Sequence, residues 1–309
     1  MAAKPGRASA EAQAETALRT ARAAARERAR AGVRRRILAV AAHVVLIAVA
    51  IPFVLPFFWL LTGTFKPSGD LLVVPPVWVP AHWTLDNLRA LGSYGDVDLG
   101  YYARNTLYLC VFNVVATVAS CSLVAYGFAR IRFPGRDVLF AILIATLILP
   151  RWATLIPSYM IFKWLGWLGT FGPLTWPALF GDAFTIFLIR QFMRGIPMEL
   201  SEAAYIDGAS EWGIYWRVIL PLVKPALAVA GLFTFTWVYN DFFGPLIYLS
   251  DSGKYTLSLA AFQFVKAHGA PDIGAIVAFT TLVTLPLIVL FFFTQRMLVE
   301  GVTLTGLKA

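Results

Sequence analysis

The sequence predicts an all-α integral membrane protein with six transmembrane helices and a helical loop between the fourth and the fifth. Hydrophobic residues make up 59% of the 309 residues and charged residues only 14%, whereas a soluble domain carries about 25% charged residues. Six apolar runs are each near the ~20 residues that a helix needs to cross a bilayer. The predicted spans are residues 37–63, 104–129, 138–162, 173–194, 222–249 and 273–298.

These spans divide the chain into a basic extension (1–36), a membrane domain (37–298) and a C-terminal tail (299–309). The extension holds ten basic and three acidic residues, so it accounts for most of the net charge of +9. That charge is therefore no evidence for nucleic-acid binding. The extension can lie on anionic lipid as a surface helix or stay irregular, and we expect a weakly ordered cytoplasmic segment. The apolar run after it is too long for a cleaved signal peptide.

The distribution of basic residues predicts which side of the membrane each loop faces. An even number of spans places both termini on one side, and the positive-inside rule makes that side the cytoplasm. The connector 130–137 and the loop 195–221 with its flanks lie on the same side and are rich in basic residues. They carry Arg130, Arg132 and Arg136, and Arg190, Arg194, Arg217 and Lys224. The loop 195–221 is therefore expected in the cytoplasm.

Local signals in this loop predict two consecutive helices. Pro197 and the acidic residues Glu199 and Glu202 favour a helix start. Ala204 and Gly208 are four residues apart, which places them on one face of a continuous helix. Gly208 can instead end the helix with a positive φ, and Ser210 can cap a second helix from Glu211 to about Leu220.

The same loop resembles the signature loop of the membrane subunits of ABC importers. In that family Glu-Ala-Ala is followed by a glycine six residues after the glutamate, and then by Ile-x-Leu-Pro. Val218 replaces the isoleucine, a conservative change in size and polarity. The matching residues are Glu202, Ala203, Ala204, Gly208, Val218, Leu220 and Pro221. Residues 125–135 and the Asn105-Thr106 pair also resemble the carbohydrate-uptake branch, in particular the second permease of maltose-type systems.

This resemblance implies a bacterial inner-membrane importer. It makes residues 198–208 a cytoplasmic coupling helix that docks on an ATPase subunit. The implied partners are a second permease, two ATPase subunits that bind the ATP and Mg²⁺, and an external solute-binding protein. The short tail 299–309 resembles the family's terminus that contacts the ATPase dimer, and the loop 250–272 resembles the loop that reaches the binding protein.

Several polar residues inside the spans are candidates for the substrate pathway. Asn113 shares a helical face with Thr117 and Ser120, for which helix packing is the favoured role. Arg151 lies in mid-span beside Pro150, where a charge is costly, and either lines the pathway or forms a buried ion pair. Tyr239, Asn240, Asp241 and Phe242 combine an aromatic face with hydrogen-bonding groups, as sugar binding requires, or form a polar kink.

The chain lacks the motifs of an enzyme. No G-x-x-x-x-G-K-[ST] motif occurs, since Tyr248 stands where the first glycine before Gly253-Lys254 would be. No catalytic triad is recognisable, and the three histidines do not have metal-ligand spacing. Cys110 and Cys121 are roughly 16 Å apart on one helix, too far for a disulfide. We expect no cofactor or metal in this chain.

The main alternative is an ion-coupled secondary transporter that needs no ATPase and uses Arg151 and Asp241 as coupling sites. Such transporters carry corresponding broken helices in two halves, and the sequence shows no second copy of a broken-helix element. An ABC exporter or an insertion scaffold is a third possibility, which the loop pattern disfavours. The resemblance covers residues 37–309, and it does not identify the sugar.

Overall fold

A computed structural model describes residues 6–93, 99–267 and 273–306 of the chain, and within these ranges the regular structure is helical. The α-helices are α1 (Gly6–Thr64), α2 (Asp86–Ser93), α3 (Leu99–Arg130), α4 (Arg136–Thr146), α5 (Arg151–Trp164), α6 (Gly172–Thr175), α7 (Ala183–Arg194), α8 (Glu199–Ile206), α9 (Glu211–Ile214), α10 (Leu220–Leu222), α11 (Lys224–Tyr239), α12 (Phe243–Tyr248), α13 (Leu257–Ala267) and α14 (Ile273–Gly306).

The chain divides into two compact units, residues 1–61 and residues 62–309. The first contains α1 as far as Leu61, and because α1 begins at Gly6 it includes most of the basic extension. We expected that extension to be weakly ordered, but the structure continues the first membrane helix through it. From Arg34 onward α1 is apolar enough to cross a membrane, and the side chains of that apolar window are exposed. Such exposure fits a helix that faces lipid.

Within the described residues, four helical segments are individually long and apolar enough to span a membrane: 34–64, 99–130, 172–194 and 273–295. A fifth span arises if residues 211–222 and 224–239, which meet at a bend of 77°, are counted together. The predicted third span, 138–162, is divided between α4 and α5 by residues 147–150. Pro150 explains the break, because its ring excludes a helical carbonyl four residues earlier and it lacks an N–H group. The predicted count of six spans is therefore approximate.

The larger unit contains two hydrophobic cores along α3. One lies where α3 packs against α7, α11 and the loop 195–221, and we call this the loop end of the bundle. Its buried residues are Cys121, Ala125, Tyr126, Ile186, Ile189, Met193, Ile214, Tyr215, Ile219, Val223, Ala226 and Ala230. The two cysteines are buried and free, as expected for small apolar fillers.

The second core lies at the opposite end of α3, among α2, α11, α13 and α14. Close by, the amide of Asn87 donates to the backbone carbonyls of Gly63, Thr64 and Lys66, which ties α2 to the first residues of the second unit. Lys66 is fully buried and donates to the carbonyl of Val77. Burial lowers the pKa of the Lys66 ammonium, and the charge of Asp70 opposes this shift. This polar cluster holds the segment that follows the first span.

Candidate functional site

The first loop helix, α8, ends in a Schellman motif. Gly208 has a φ of +79°, a conformation that residues with a Cβ rarely adopt. Its N–H donates to Tyr205 O at 3.0 Å, and the N–H of Ala209 donates to Ala204 O at 2.9 Å. These are the two hydrogen bonds that define the motif. The prediction that Gly208 ends the helix with a positive φ is therefore confirmed.

The same geometry corrects the alternative in which Ala204 and Gly208 share one helical face. Gly208 lies beyond the last helical residue, Ile206, so it contributes a turn and not a helix surface. Apart from Gly208 and its two chain neighbours, no atom of the described residues lies within 4 Å of a Cβ placed on Gly208. The glycine therefore marks an open surface beside the end of α8.

The signature residues of α8 point in different directions. Ser201 is buried and Ala204 is half-buried against the loop-end core. Glu202 and Ala203 are exposed, and Ile206 is 87% exposed. Ile206 is thus an exposed apolar side chain at the end of α8, two residues before Gly208. The helix thus has one face fixed to the bundle and one face available.

The second part of the loop begins as predicted and then departs from a regular helix. Ser210 accepts a hydrogen bond from the N–H of Gly213 at 3.3 Å and caps α9. The next turn, Tyr215–Ile219, is a π-helix that contains Val218, and π-turns often occur at functional sites. Leu220 and Pro221 follow in α10, ahead of the 77° bend into α11.

Arg130, the last residue of α3, fastens the start of this loop to the bundle. The residue is only 8% exposed. One terminal nitrogen donates to Met193 O at 2.7 Å and to Ile196 O at 2.8 Å. The other approaches Pro197 O at 3.4 Å and Met198 Sδ at 2.9 Å. All four acceptors are neutral, and carbonyls at the end of α7 are favourable partners for a cation.

Glu211 fastens the other end of α8. Its carboxylate accepts from the hydroxyl of Tyr126 at 2.5 Å and also from the hydroxyl of Tyr205. Tyr205 is in the last turn of α8, whereas Tyr126 is one turn before Arg130 on α3. Tyr126 also packs edge-on against Tyr215, with ring centroids 5.2 Å apart. Glu211 therefore links α8 to α3 through two tyrosines.

The polar face of α3 that contains Asn113, Thr117 and Ser120 bonds to a neighbouring segment of the bundle. The amide of Asn113 donates to Leu109 O at 2.8 Å and to Leu174 O at 2.9 Å. The hydroxyl of Ser120 donates to Ala178 O at 3.1 Å. These bonds connect α3 to the segment before α7, which corresponds to the packing role that we favoured.

The predicted aromatic and polar cluster at the end of α11 is split between two environments. Tyr239 is buried and its hydroxyl donates to Val283 O at 2.7 Å. Asn240 is exposed, with its amide donating back to Thr236 O at 2.8 Å. Asp241 accepts at 3.1 Å from the N–H of Gly244 in the first turn of α12. Phe242 is half-buried against Phe243 and Phe262.

Arg151 is the first residue of α5, directly after Pro150, and its side chain lies outside the described part of the structure. Its neighbour Trp152 packs edge-on against Phe243, with ring centroids 4.9 Å apart. Phe243 in turn follows Phe242 in the chain. The structure therefore brings the start of α5 next to the turn between α11 and α12, two of the three regions named above as candidates for the substrate pathway.

Arg130, Tyr126 and Glu211 were not among the predicted site residues. The contacts that join Arg130 to the loop and Tyr126 to Glu211 span 63 to 85 positions of the chain, so a local motif does not identify them. A weak signal exists, because Tyr126 and Arg130 are polar residues spaced by four at the end of an apolar span, where they share one helical face.

Comparison with known proteins gives one matching family and many similar permeases. The family model described as "Binding-protein-dependent transport system inner membrane component" matches residues 121–304. The osmoprotective compounds uptake permease protein GgtD of Synechocystis is 32% identical over 86% of this chain and 91% of its own. The diacetylchitobiose uptake system permease protein NgcG of Streptomyces coelicolor is 29% identical over 86% of this chain and 87% of its own. The lactose transport system permease protein LacG of Rhizobium radiobacter is 29% identical over 86% of this chain and 96% of its own.

Among solved structures, the chain is similar to one from a bacterial ABC transporter involved in the import of the acidic polysaccharide alginate. The TM-score is 0.74 at 23% identity, over 84% of this chain and 96% of that one. At this identity the likeness shows the fold. It agrees with the all-helical membrane architecture described above.

Proposed function

The chain belongs to the family of binding-protein-dependent transport system inner membrane components, a family of multi-pass ABC-importer permeases, and from this premise we propose that it imports a carbohydrate. Sugar-related substrates recur in the names of its relatives: diacetylchitobiose, lactose and arabinooligosaccharides. The proposed substrate class is accordingly a disaccharide, an oligosaccharide or a related polyhydroxylated solute. The family match leaves the ion-coupled alternative without comparable support.

The single observation that carries the proposed mechanism is the geometry of α8. It is a short helix with its signature residues in place, its end fixed by Gly208, and its outer face open. We propose that this face docks on a separate ATPase subunit, with Glu202 binding by charge and Ala203 allowing close approach. Hydrolysis of ATP then occurs in that subunit, and this chain has no catalytic role.

In the proposed assembly the chain pairs with a second, related permease, and an external solute-binding protein delivers the substrate. Both termini and the loop 195–221 lie in the cytoplasm, as the distribution of basic residues predicts. Closure of the ATPase dimer pushes on α8 and turns the bundle, so that the pathway opens to the loaded binding protein. Access to the pathway therefore alternates between the two sides of the membrane.

The side-chain contacts reduce the number of residues that we propose for the substrate pathway. Asn113 and Tyr239 are buried, and their polar groups donate to backbone carbonyls of this chain, so neither is open to a sugar. Asn240 is exposed, and Phe242 presents part of an aromatic ring beside it. We propose that Asn240, Asp241 and Phe242, together with the start of α5 at Arg151, are the part of this chain nearest to the substrate.

Uptake by whole cells tests the proposed function. Cells that lack the chain, and the same cells supplied with it, are compared for accumulation of labelled disaccharides, oligosaccharides and polyols. We expect the chain to restore accumulation of at least one of them. Depletion of ATP should abolish this accumulation, and a protonophore that spares ATP should leave most of it. Accumulation that follows the ion gradient and persists without ATP would instead establish the ion-coupled alternative.

A further inference from the structure

Two residues of α3, Tyr126 and Arg130, hold opposite ends of α8. They are four positions apart and therefore lie on one face of α3. Arg130 binds the chain where α8 begins, at Pro197 and Met198. Tyr126 reaches the last turn of α8 through Glu211, which also accepts from Tyr205. A helix fastened at both ends to one neighbour is constrained in tilt as well as in position.

The hydrogen bonds of Arg130 restrict movement of the start of α8 relative to α3. A guanidinium is planar and offers five donors in a fixed arrangement, and here its terminal nitrogens are divided between the end of α7 and the start of α8. Bonds with an ionised donor are roughly twice as strong as neutral ones. The Nε atom is buried and has no hydrogen-bond partner among the described residues. The side chain is therefore oriented so that both terminal nitrogens have acceptors, whereas the Nε atom is left without one.

The connection from α8 onward to α11 has a different character. It passes through Gly208 at a φ of +79°, a π-helical turn at Tyr215–Ile219 and the 77° bend before Lys224. A glycine in a left-handed conformation and an irregular turn are positions where a chain can change direction at low cost. A displacement of α8 would thus be partly taken up by bending of the segment that connects α8 to α11. The hydrogen bonds between α8 and α3 would instead pass the displacement on to α3.

We propose that Arg130 and Tyr126 are positioning residues that make α8 and the loop end of α3 move as one body during transport. The inference rests on the proposed function, since it assigns the path by which movement of α8 reaches the membrane helices. In this account α3 is the first helix displaced by the ATPase. The movement of α11 follows from its packing against α3.

A distance measurement tests the proposal directly. Spin labels are attached at Glu199→Cys, the exposed first residue of α8 and not one of the residues proposed to contact the ATPase, and at Leu123→Cys, an exposed position of α3. The native Cys110 and Cys121 are fully buried and remain in place. Retention of ATP-dependent uptake by the labelled complex is the control. The distance is measured in the purified importer complex with and without ATP. We expect one narrow distribution that is unchanged by ATP in the otherwise wild-type chain. In Arg130→Gln the distribution should broaden or shift with ATP.

Graded variants separate positioning from folding. Arg130→Lys keeps the charge but cannot bind two acceptors as a fork, so it should restore a part of what Arg130→Gln loses. Tyr126→Phe removes one hydroxyl from a partly buried bond and should retain the fold. For Arg130→Gln we expect ATP-dependent uptake to fall by at least about ten-fold at unchanged ATPase binding, because the loss of even one charge-assisted hydrogen bond has an effect of this order. Arg132→Gln, which removes an exposed arginine two residues away, is the matched control and should leave uptake unchanged.

The outcomes distinguish the two levels of the account. If the wild-type chain binds no ATPase, the proposed function itself is wrong. If the wild-type complex couples ATP to uptake but its label distance changes with ATP, α8 and α3 do not move together and this inference is overturned. The same conclusion follows if Arg130→Gln, Arg130→Lys and Tyr126→Phe all couple normally with unchanged distance distributions.

Discussion

Gly274 lies where α14 contacts α2, and its lack of a side chain allows the two helices to approach closely. A Cβ on Gly274 would overlap with Asn87 Oδ1 and lie 2.5 Å from Ser68 Oγ. The amide of Asn87 also bonds to three backbone carbonyls, so this residue cannot move aside without losing them. The close contact between α14 and α2 therefore depends on this glycine.

Replacement of Gly274 by alanine should destabilise the protein. Overpacking of a well-packed site costs typically about 1–3 kcal/mol, and thermal unfolding of the detergent-purified protein should occur at a correspondingly lower temperature. Gly127→Ala is the matched control. That glycine is inside α3, and a methyl group there would have no other atom within 4 Å, so alanine should be neutral or stabilise by up to about 1 kcal/mol. Equal melting temperatures for the two variants would contradict this account of Gly274.

At the scale of single elements, α8 shows which features local sequence determines. Pro197, Gly208 and Ser210 act on their immediate neighbours, and the positive φ of Gly208 and the Ser210 cap were predictable for that reason. The break at residues 147–150 was not predicted, although Pro150 was visible, because prolines also occur inside membrane helices, such as Pro52 and Pro56 in α1. The π-helical turn had no local signal.

The site was predictable to a similar extent. Its signature residues were found from spacing, whereas Arg130, Tyr126 and Glu211 depend on contacts between distant parts of the chain. Of the predicted pathway residues, Asn113 and Tyr239 bind backbone carbonyls of neighbouring helices. A polar residue on a helix face has the same sequence pattern whether it binds a helix or a ligand, so the sequence alone could not separate these roles.

Substitution of Gly208 by tryptophan tests α8 as a docking element. A Cβ at this position has open space around it among the described residues, so a side chain can leave the backbone here without a clash, and a bulky indole would stand where a docked partner has to approach. Gly208→Ala carries a similar backbone strain, about 1–2 kcal/mol for a left-handed residue, without the bulk. We expect both variants to insert into the membrane, and we expect Gly208→Trp to lose uptake much more strongly than Gly208→Ala. Normal uptake with Gly208→Trp would show that nothing docks beside the end of α8.

At the scale of the whole molecule, the apolar surface of the chain exceeds what a single water-soluble subunit would leave exposed. Large apolar side chains along α1, α4 and α5 are open to the outside, as expected where lipid or another membrane subunit covers them. The open face of α8 differs from these surfaces, because it mixes Glu199 and Glu202 with Leu200 and Ile206. A mixed surface of this kind fits a water-exposed protein partner better than it fits lipid.

The central claim is that this chain works as one membrane subunit of an ATP-driven importer and carries no ATPase of its own. The most direct test is to purify the tagged chain from its native membrane in mild detergent and to identify every partner by mass. We expect a second, related permease together with an ATPase that contains the G-x-x-x-x-G-K-[ST] motif, and we expect the ATPase to be lost with Gly208→Trp. Recovery of the chain alone, or as a homodimer without an ATPase, would contradict the claim.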